Sequence, residues 1–254
     1  EQTVPLYFFV TGDEESGMLG ADHLSANSSA FGELVDAGGL GIVGEPTSLE
    51  VVTAHKGAVH IEVTSHGVAA HSSTRDGHNA NWQLIPFLSY LREVNERCES
   101  DARLKNGDFD PPTLSMNVVL ENEPSMANIT VGKARLQIFM RPMPNTLWEQ
   151  LLAEIIQTAK DQQLQVKTLR PMRPLVSNPG SSNLQWFMKT VGSTSGKSVC
   201  YATDGCCLGS LSDMVVYGPG SIEQAHRNDE WISIDQLHQG TKMFERVFRS
   251  AERL

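Results

Sequence analysis

Apolar residues gather into short dense runs near both ends of the chain and spread into regular patterns through its middle. The first run, Pro5-Leu6-Tyr7-Phe8-Phe9-Val10, is bulky and aromatic and is followed by Gly12, so it predicts a buried strand. Residues 18–24 predict the start of a helix. A second short strand is predicted at Gly41-Ile42-Val43, ending in Gly44-Glu45-Pro46-Thr47, where Pro46 holds Glu45 extended.

From residue 51 the pattern changes. Residues 51–63 alternate as a strand or hairpin, and residues 67–77 form a polar loop containing Ala70-His71-Ser72-Ser73. Residues 79–94 predict an amphipathic helix with Trp82, Ile85, Leu88, Leu91 and Val94 on its apolar face, with Pro86 against the pattern. Residues 99–112 predict a surface loop, and 113–120 and 129–140 predict strands. Residues 146–162 predict a helix whose apolar face is Leu147, Leu151, Ile155 and Ile156, and 165–169 a last strand. The order β-α-β-β-α-β is that of a ferredoxin-like unit.

Three prolines mark residues 171–179 as a linker. Beyond it come a helix over 183–191, a weak strand over 198–200, a strand over 214–217 and a closing helix over 234–251. The expected class is therefore α/β. Residues 1–51 and 171–254 form the two parts of one α/β domain, and residues 52–170 form an inserted ferredoxin-like domain.

Composition narrows the classes of function. The chain has 254 residues and 40% apolar residues, enough for a core. Its net charge of -10 argues against nucleic acid, whose phosphates call for a basic surface. No apolar stretch is long enough to span a membrane as a helix, so no membrane partner is expected. Four cysteines without a C-x-x-C pair are expected to be reduced thiols, and the expected location is cytoplasmic.

The chemistry gathers where strands end. Thr11-Gly12-Asp13-Glu14-Glu15-Ser16-Gly17 places three carboxylates after the first predicted strand, and Glu45 follows the second. In an open α/β sheet the carboxyl ends of strands are where ligands bind. The plainer alternative for Asp13-Glu14-Glu15 is a solvated helix N-terminus, where negative charge suits the macrodipole. Glu14, Glu15, Glu45 and His226 together are a carboxylate–imidazole set suited to Zn, Co or Mn. Neighbouring Glu residues point in different directions, so one suits a ligand and the other a base toward metal-bound water.

Several ordered words carry a family resemblance. They are Thr11-Gly12-Asp13-Glu14-Glu15, Gly44-Glu45-Pro46-Thr47, His55-Lys56-Gly57, Ala70-His71-Ser72-Ser73, Ala127-Asn128-Ile129, Arg141-Pro142-Met143-Pro144, Thr203-Asp204, and Gly218-Pro219-Gly220 through Gln224-Ala225-His226. In this order the chain resembles the dinuclear zinc metallopeptidase and deacylase family that includes acetylornithine deacetylase, succinyl-diaminopimelate desuccinylase, aminoacylase and glutamate-type carboxypeptidase. Its words are most similar to those of acetylornithine deacetylase.

The resemblance implies hydrolysis of an N-acyl amino acid, N2-acetylornithine first, to the amino acid and acetate, as in arginine biosynthesis. It implies two Zn2+ per subunit, with Co2+ as a substitute, and a homodimer formed through the inserted lid domain. Glu14 would be the general base. Glu15 and His226 would bind one metal and Glu45 the other. His71 would steady the oxyanion in the partner subunit's site. Arg141 and Asn128 would hold the substrate carboxylate, and Thr203 and Gly220 would line its pocket. His55, His60, His66, His78 and His238 are read as non-ligands.

The family pattern also draws a His and a bridging Asp from a segment ahead of the Glu-Glu strand. Residues 1–10 contain neither. The natural protein is accordingly expected to have a longer N-terminal part, or to take those strands from another chain. The alternatives left open are a succinyl-diaminopimelate desuccinylase, aminoacylase or dipeptidase activity, and a non-catalytic dimerisation module.

Overall fold

The computed structural model describes residues 4–251. The chain divides into two compact units. One comprises residues 1–56 and 173–254, the other Gly57–Met172.

The first unit is α/β. Its elements are α1 (Leu19–Asn27), α2 (Ser29–Asp36), β1 (Leu40–Val43) and β2 (Val52–His55), and, after the second unit, β7 (Leu175–Val176), α5 (Ser182–Val191), β8 (Lys197–Val199), β9 (Asp213–Val216) and α6 (Ile234–Ala251). The sheet runs β1-β9-β2-β7, with β8 paired to β2, and β1 lies parallel to β9 with Val43 opposite Val216. Val51, Leu184, Phe187, Val215, Tyr217 and Val247 form one core cluster, in which Phe187 and Phe244 both meet Tyr217 edge-on. Helix α5 begins with a side-chain cap from Ser181 to the Leu184 N–H and ends at Gly192, whose φ of 78° suits a residue without a side chain.

Residues 5–10 correct the sequence expectation. They are extended but form no strand. Tyr7 and Phe9 face inward: Phe9 packs on Phe31, and the Tyr7 hydroxyl donates to Glu33 at 2.8 Å. Leu6, Phe8 and Val10 point outward, Phe8 being 89% exposed. A strand needs a neighbour to share its hydrogen-bond ladder, and among the described residues this run has none. Its alternation is real; burial on both faces is not. The expected linker at 171–179 likewise holds a strand, β7, which pairs antiparallel to β2 with His55 opposite Leu175.

The second unit is ferredoxin-like. Its elements are β3 (Val59–His66), α3 (Ala80–Ser100), β4 (Ser115–Glu123), β5 (Lys133–Arg141), α4 (Trp148–Asp161) and β6 (Gln165–Thr168). The sheet order is β4-β5-β3-β6, and every pairing is antiparallel. Alternation explains it. Val59, Ile61 and Val63 of β3 and Ala134, Leu136, Ile138 and Met140 of β5 are buried on one face. Side chains of this kind contribute roughly 1.5–3 kcal/mol each when fully buried.

The apolar face of α3 differs from the expected one. The buried residues are Ala80, Leu84, Phe87, Leu91, Val94 and Cys98, whereas Trp82 and Ile85 are exposed. Spacings of four, three, four, three and four residues define that stripe better than the run starting at Trp82. Pro86 sits on the exposed side, where water can serve the carbonyl that loses its N–H partner. Across the helices, Arg97 of α3 grips Glu154 of α4 with two hydrogen bonds of 2.6 and 3.0 Å, and Tyr90 adds a third at 2.9 Å.

Candidate active site

Five chemical side chains of the first unit come together from four loops. Glu14 and Glu15 lie in the turn Glu14–Gly17, Glu45 follows β1, Asp204 opens a short 3-10 turn before β9, and His226 follows another after it. Asp13 and Met18, which flank the Glu14 turn, both hold left-handed backbone with φ near 59° and 58°, and His226 does so at 62°. Such conformations cost energy in residues with a Cβ, and Asp and His tolerate them better than most.

The Glu45 loop is stitched to the loop after β9. Thr47 N donates to the Gly218 carbonyl at 3.2 Å, the Thr47 hydroxyl accepts from the Gly218 N–H at 3.2 Å, and Leu49 N also reaches the Gly218 carbonyl at 3.0 Å. Ser48 N donates to Gly220 O at 2.6 Å. A Cβ on Gly218 would lie 2.5 Å from the Glu45 carbonyl oxygen, so the close approach requires glycine there. Gly220 is needed for its φ of 90°.

Negative charge is concentrated here. Burial first, then Glu14, Asp204 and Glu15, push the Glu45 carboxyl up to about 7. Burial, with Glu15 and Asp204 beside it, also raises Glu14, while His226 opposes that rise. Burial and Glu45 push the Tyr201 phenol up to about 12. Glu15 and His226 face each other, Oε1 to Nδ1, at 3.8 Å, both largely exposed. Asp204 is buried; its Oδ2 accepts from the Thr11 hydroxyl at 2.5 Å, and its Oδ1 has no hydrogen-bond partner. An unpartnered buried carboxylate oxygen among other carboxylates is an arrangement that calls for a cation. Among the described residues no three His, Cys, Asp or Glu side chains are gathered closely enough to hold a metal ion by themselves. The donors fit such an ion in chemistry, as a Glu15–His226 pair and a separate Glu45.

Thus Glu14, Glu15, Glu45 and His226 share one region of the first unit. Thr203 is fully buried, and its hydroxyl lies 3.1 Å from His55 Nε2. Gly220 is buried as well, against Ile232 and Pro46. The other three expected residues lie in the second unit. His71 is exposed and its Nδ1 meets the Ser73 hydroxyl at 2.7 Å. Asn128 is exposed, its carbonyl accepting from Ser72 N at 3.0 Å. Arg141, at the end of β5, has its guanidinium 4.8 Å from the Phe139 ring centre. Sequence reasoning missed Asp204 as a member of the cluster. The signal was its place in Thr203-Asp204-Gly205, an acidic residue in a loop just ahead of a core strand.

Comparison with known proteins decides the family of the second unit: residues 53–167 match the model of the M20 peptidase dimerisation domain. The chain carries an M20 peptidase dimerisation domain. Over the wider chain, it is 30% identical to acetylornithine deacetylase from Proteus mirabilis across 239 residues, 91% of this chain and 60% of that protein. It is 31% identical to acetylornithine deacetylase from Pectobacterium carotovorum across 237 residues, again 91% and 60%. The chain therefore spans about three-fifths of the length of these relatives. Among solved structures, it superposes on aminopeptidase PepT from Bacillus cereus with a TM-score of 0.66 at 16% identity, covering 94% of this chain and 62% of that one. Human carnosine dipeptidase 1 gives 0.61 at 13% identity, with 96% and 66% covered. At these identities the two likenesses concern the fold alone.

Proposed function

We propose that this protein is a metal-dependent amidohydrolase that removes the acyl group from an N-acyl amino acid, with N2-acetylornithine as the first candidate substrate. The observation that carries the reading is the carboxylate cluster, in which Glu45 is pushed up to about 7 by burial and by Glu14, Asp204 and Glu15. Such a cluster is relieved by bound cations, and the 30% and 31% identities to acetylornithine deacetylases support the substrate class.

In this reading Glu15 and His226 hold one ion and Glu45 the other, with the remaining ligands supplied from outside the donors named here. When bound, zinc or cobalt would lower the pKa of water and polarise the amide carbonyl. Glu14 takes the proton of the attacking water and returns it to the leaving amine. Burial suits it to that task, because a raised carboxyl is a better base near neutral pH. His71 is proposed to steady the oxyanion, and Arg141 and Asn128 to hold the substrate carboxylate. A guanidinium fork matches a carboxylate with two hydrogen bonds. These three roles rest on the family resemblance.

The domain assignment supports a homodimer formed through the second unit. Exposed Val118, Val119 and Leu120 on the edge strand β4, with Met126 just beyond, offer apolar surface for it.

The test is a panel of acetyl, succinyl and dipeptide substrates, assayed on the purified full-length natural protein with zinc or cobalt, alongside metal analysis. The expected result is stoichiometric metal and fastest turnover of N2-acetylornithine. Preference for a succinyl or dipeptide substrate would move the assignment within the family. Protein without stoichiometric metal and without turnover would overturn it in favour of a non-catalytic dimerisation module.

A further inference from the structure

Thr203 and His55 have another use. His55 is fully buried on β2, and its Nδ1 is 2.9 Å from the Lys56 carbonyl. That contact fixes the tautomer: Nδ1 carries the proton and donates, so Nε2 is an acceptor. Burial keeps the ring neutral, pushing its pKa down to about 4. The Thr203 hydroxyl, 3.1 Å away, therefore donates to Nε2, and the same oxygen accepts from the Gly205 N–H at 3.1 Å. Two bonds on one hydroxyl set the start of the 3-10 turn Asp204–Cys206.

The turn is packed without slack. A Cβ on Gly205 would lie 2.7 Å from Leu175 Cδ1 and 3.2 Å from His55 Nε2. Asp204, the first residue of the turn, then accepts from the Thr11 hydroxyl at 2.5 Å. Thr11 stands three residues before Glu14. The segment that follows closes on itself, with Met18 N donating to Asp13 O at 2.8 Å and Gly20 N to Gly12 O at 3.1 Å. Hydrogen bonds thus run from the core strand β2 to the turn that bears Glu14, all inside the first unit.

We infer that His55 and Thr203 are positioning residues, which through Asp204 and Thr11 hold the Glu14 turn in place. The inference rests on the proposed function only in naming Glu14 as the group served. The mechanical linkage stands without it.

The experiment uses Thr203→Val, which keeps the shape and removes the hydroxyl, Thr203→Ser, which keeps the hydroxyl, and Thr11→Val, in the full chain. Hydrogen exchange followed by mass spectrometry reads peptides spanning residues 11–17, with no need of metal or substrate. Exchange there is expected to quicken about tenfold in Thr203→Val and in Thr11→Val, the factor that follows from losing one hydrogen bond of ordinary strength. Thr203→Ser is expected to match the parent protein. If Thr203→Val loosens only its own turn and β2 while residues 11–17 keep their protection, the inference is overturned. Should Thr203→Val fail to fold, Thr11→Val reads the linkage from the other end: it must loosen residues 203–207, and unchanged protection there overturns the inference equally.

Turnover and Co2+ binding are measured in parallel. A parent protein that binds no Co2+ and hydrolyses nothing counts against the hydrolase reading while leaving the exchange result to decide the linkage. In an active parent, Thr203→Val is expected to lower kcat about tenfold with KM within twofold, since a misplaced base costs rate more than ground-state binding. Unchanged kcat in a variant whose Glu14 turn has loosened would overturn the positioning role.

Discussion

The carbonyl of Glu45 occupies the space that a side chain on residue 218 would need: a Cβ on Gly218 would lie 2.5 Å from it. Both partners are backbone, so neither can swing aside. Gly218→Ala is therefore expected to destabilise the protein by about 1–3 kcal/mol, the usual cost of overpacking. Gly209→Ala, with nothing within 4 Å of its Cβ, is the control. Urea denaturation of the two variants decides it, and equal midpoints would show that the loops part more easily than this packing allows.

Glu14 and Glu15 are expected to fail in different ways. Glu14→Ala should keep metal content near that of the parent and lower kcat by about 10²- to 10⁴-fold, the range for a lost general base. Glu15→Ala should lower metal content as well. Metal analysis beside initial rates separates the two, and wild-type turnover in Glu14→Ala would exclude it as the base.

His55 makes stability fall in mild acid. Its pKa in the folded protein is about 4 against an ordinary 6.5, so the unfolded chain takes up the proton first. The folded state therefore has its full stability above pH 6.5 and loses it as pH drops toward 4. The loss amounts to at most about 3 kcal/mol from this group. Thermal melts of the parent and of His55→Gln between pH 4 and 7.5 should differ in slope, with the variant flatter. Parallel profiles would mean that His55 is protonated while folded.

Glu45 acts with the opposite sign in metal-free protein. Its carboxyl is held at about 7 against an ordinary 4.5, so the folded state takes up this proton first. The contribution is complete below pH 4.5 and is lost as pH rises through 7. Glu45→Gln should stabilise the metal-free protein at pH 8, by about 1 kcal/mol once solvent screening of a half-buried group is allowed for. The same change should weaken Co2+ binding. A chelator-treated sample melted at pH 8, with and without added cobalt, tests both halves, and a lower melting point for metal-free Glu45→Gln would contradict the first.

The edge strand β4 provides a test of assembly. Val119 and Leu120 are close to half exposed there. Leu120→Asp is expected to shift a dimer toward monomer by about tenfold or more in dissociation constant, since a charge opposes burial at an apolar contact. Sedimentation equilibrium measures it, and an unchanged dimer would place the interface elsewhere.

The ferredoxin-like unit was the part most legible in the sequence, because one buried face forces strict alternation in strands such as Lys133–Arg141. Helix α3 was found but its face was misjudged. Trp82 is large and apolar yet exposed, and only the spacing through Leu84, Phe87 and Leu91 identifies the buried stripe. Residues 5–10 misled for a different reason. Composition signals a strand, but a ladder is a property of two segments, and among the described residues none pairs with this run. The short strand β7 was hidden among prolines. The acidic and imidazole residues at strand ends were readable from their loops. Asp204 was not, since nothing local tells that a buried carboxylate will keep one oxygen without a partner. The full burial of Thr203 was not legible either, because motif words carry no burial.

The second unit begins at Gly57 and ends at Met172, and within it Ala58 and Met172 sit side by side as a bridge, each N–H reaching the other's carbonyl at 2.9 Å. The first unit has its own adjoining pair, His55 opposite Leu175. The order of folding follows as a hypothesis. Until the insert has folded, pairing β2 with β7 means closing a long floppy loop, at an entropy cost of roughly 4 kcal/mol. Once it has folded, its bridged ends leave only the few residues between them and β2 and β7 to be closed. The insert would thus serve as a splint during folding. In pulse-labelled refolding, amides of Val59–His66 should become protected before those of Val52–His55, and the reverse order would rule the splint out.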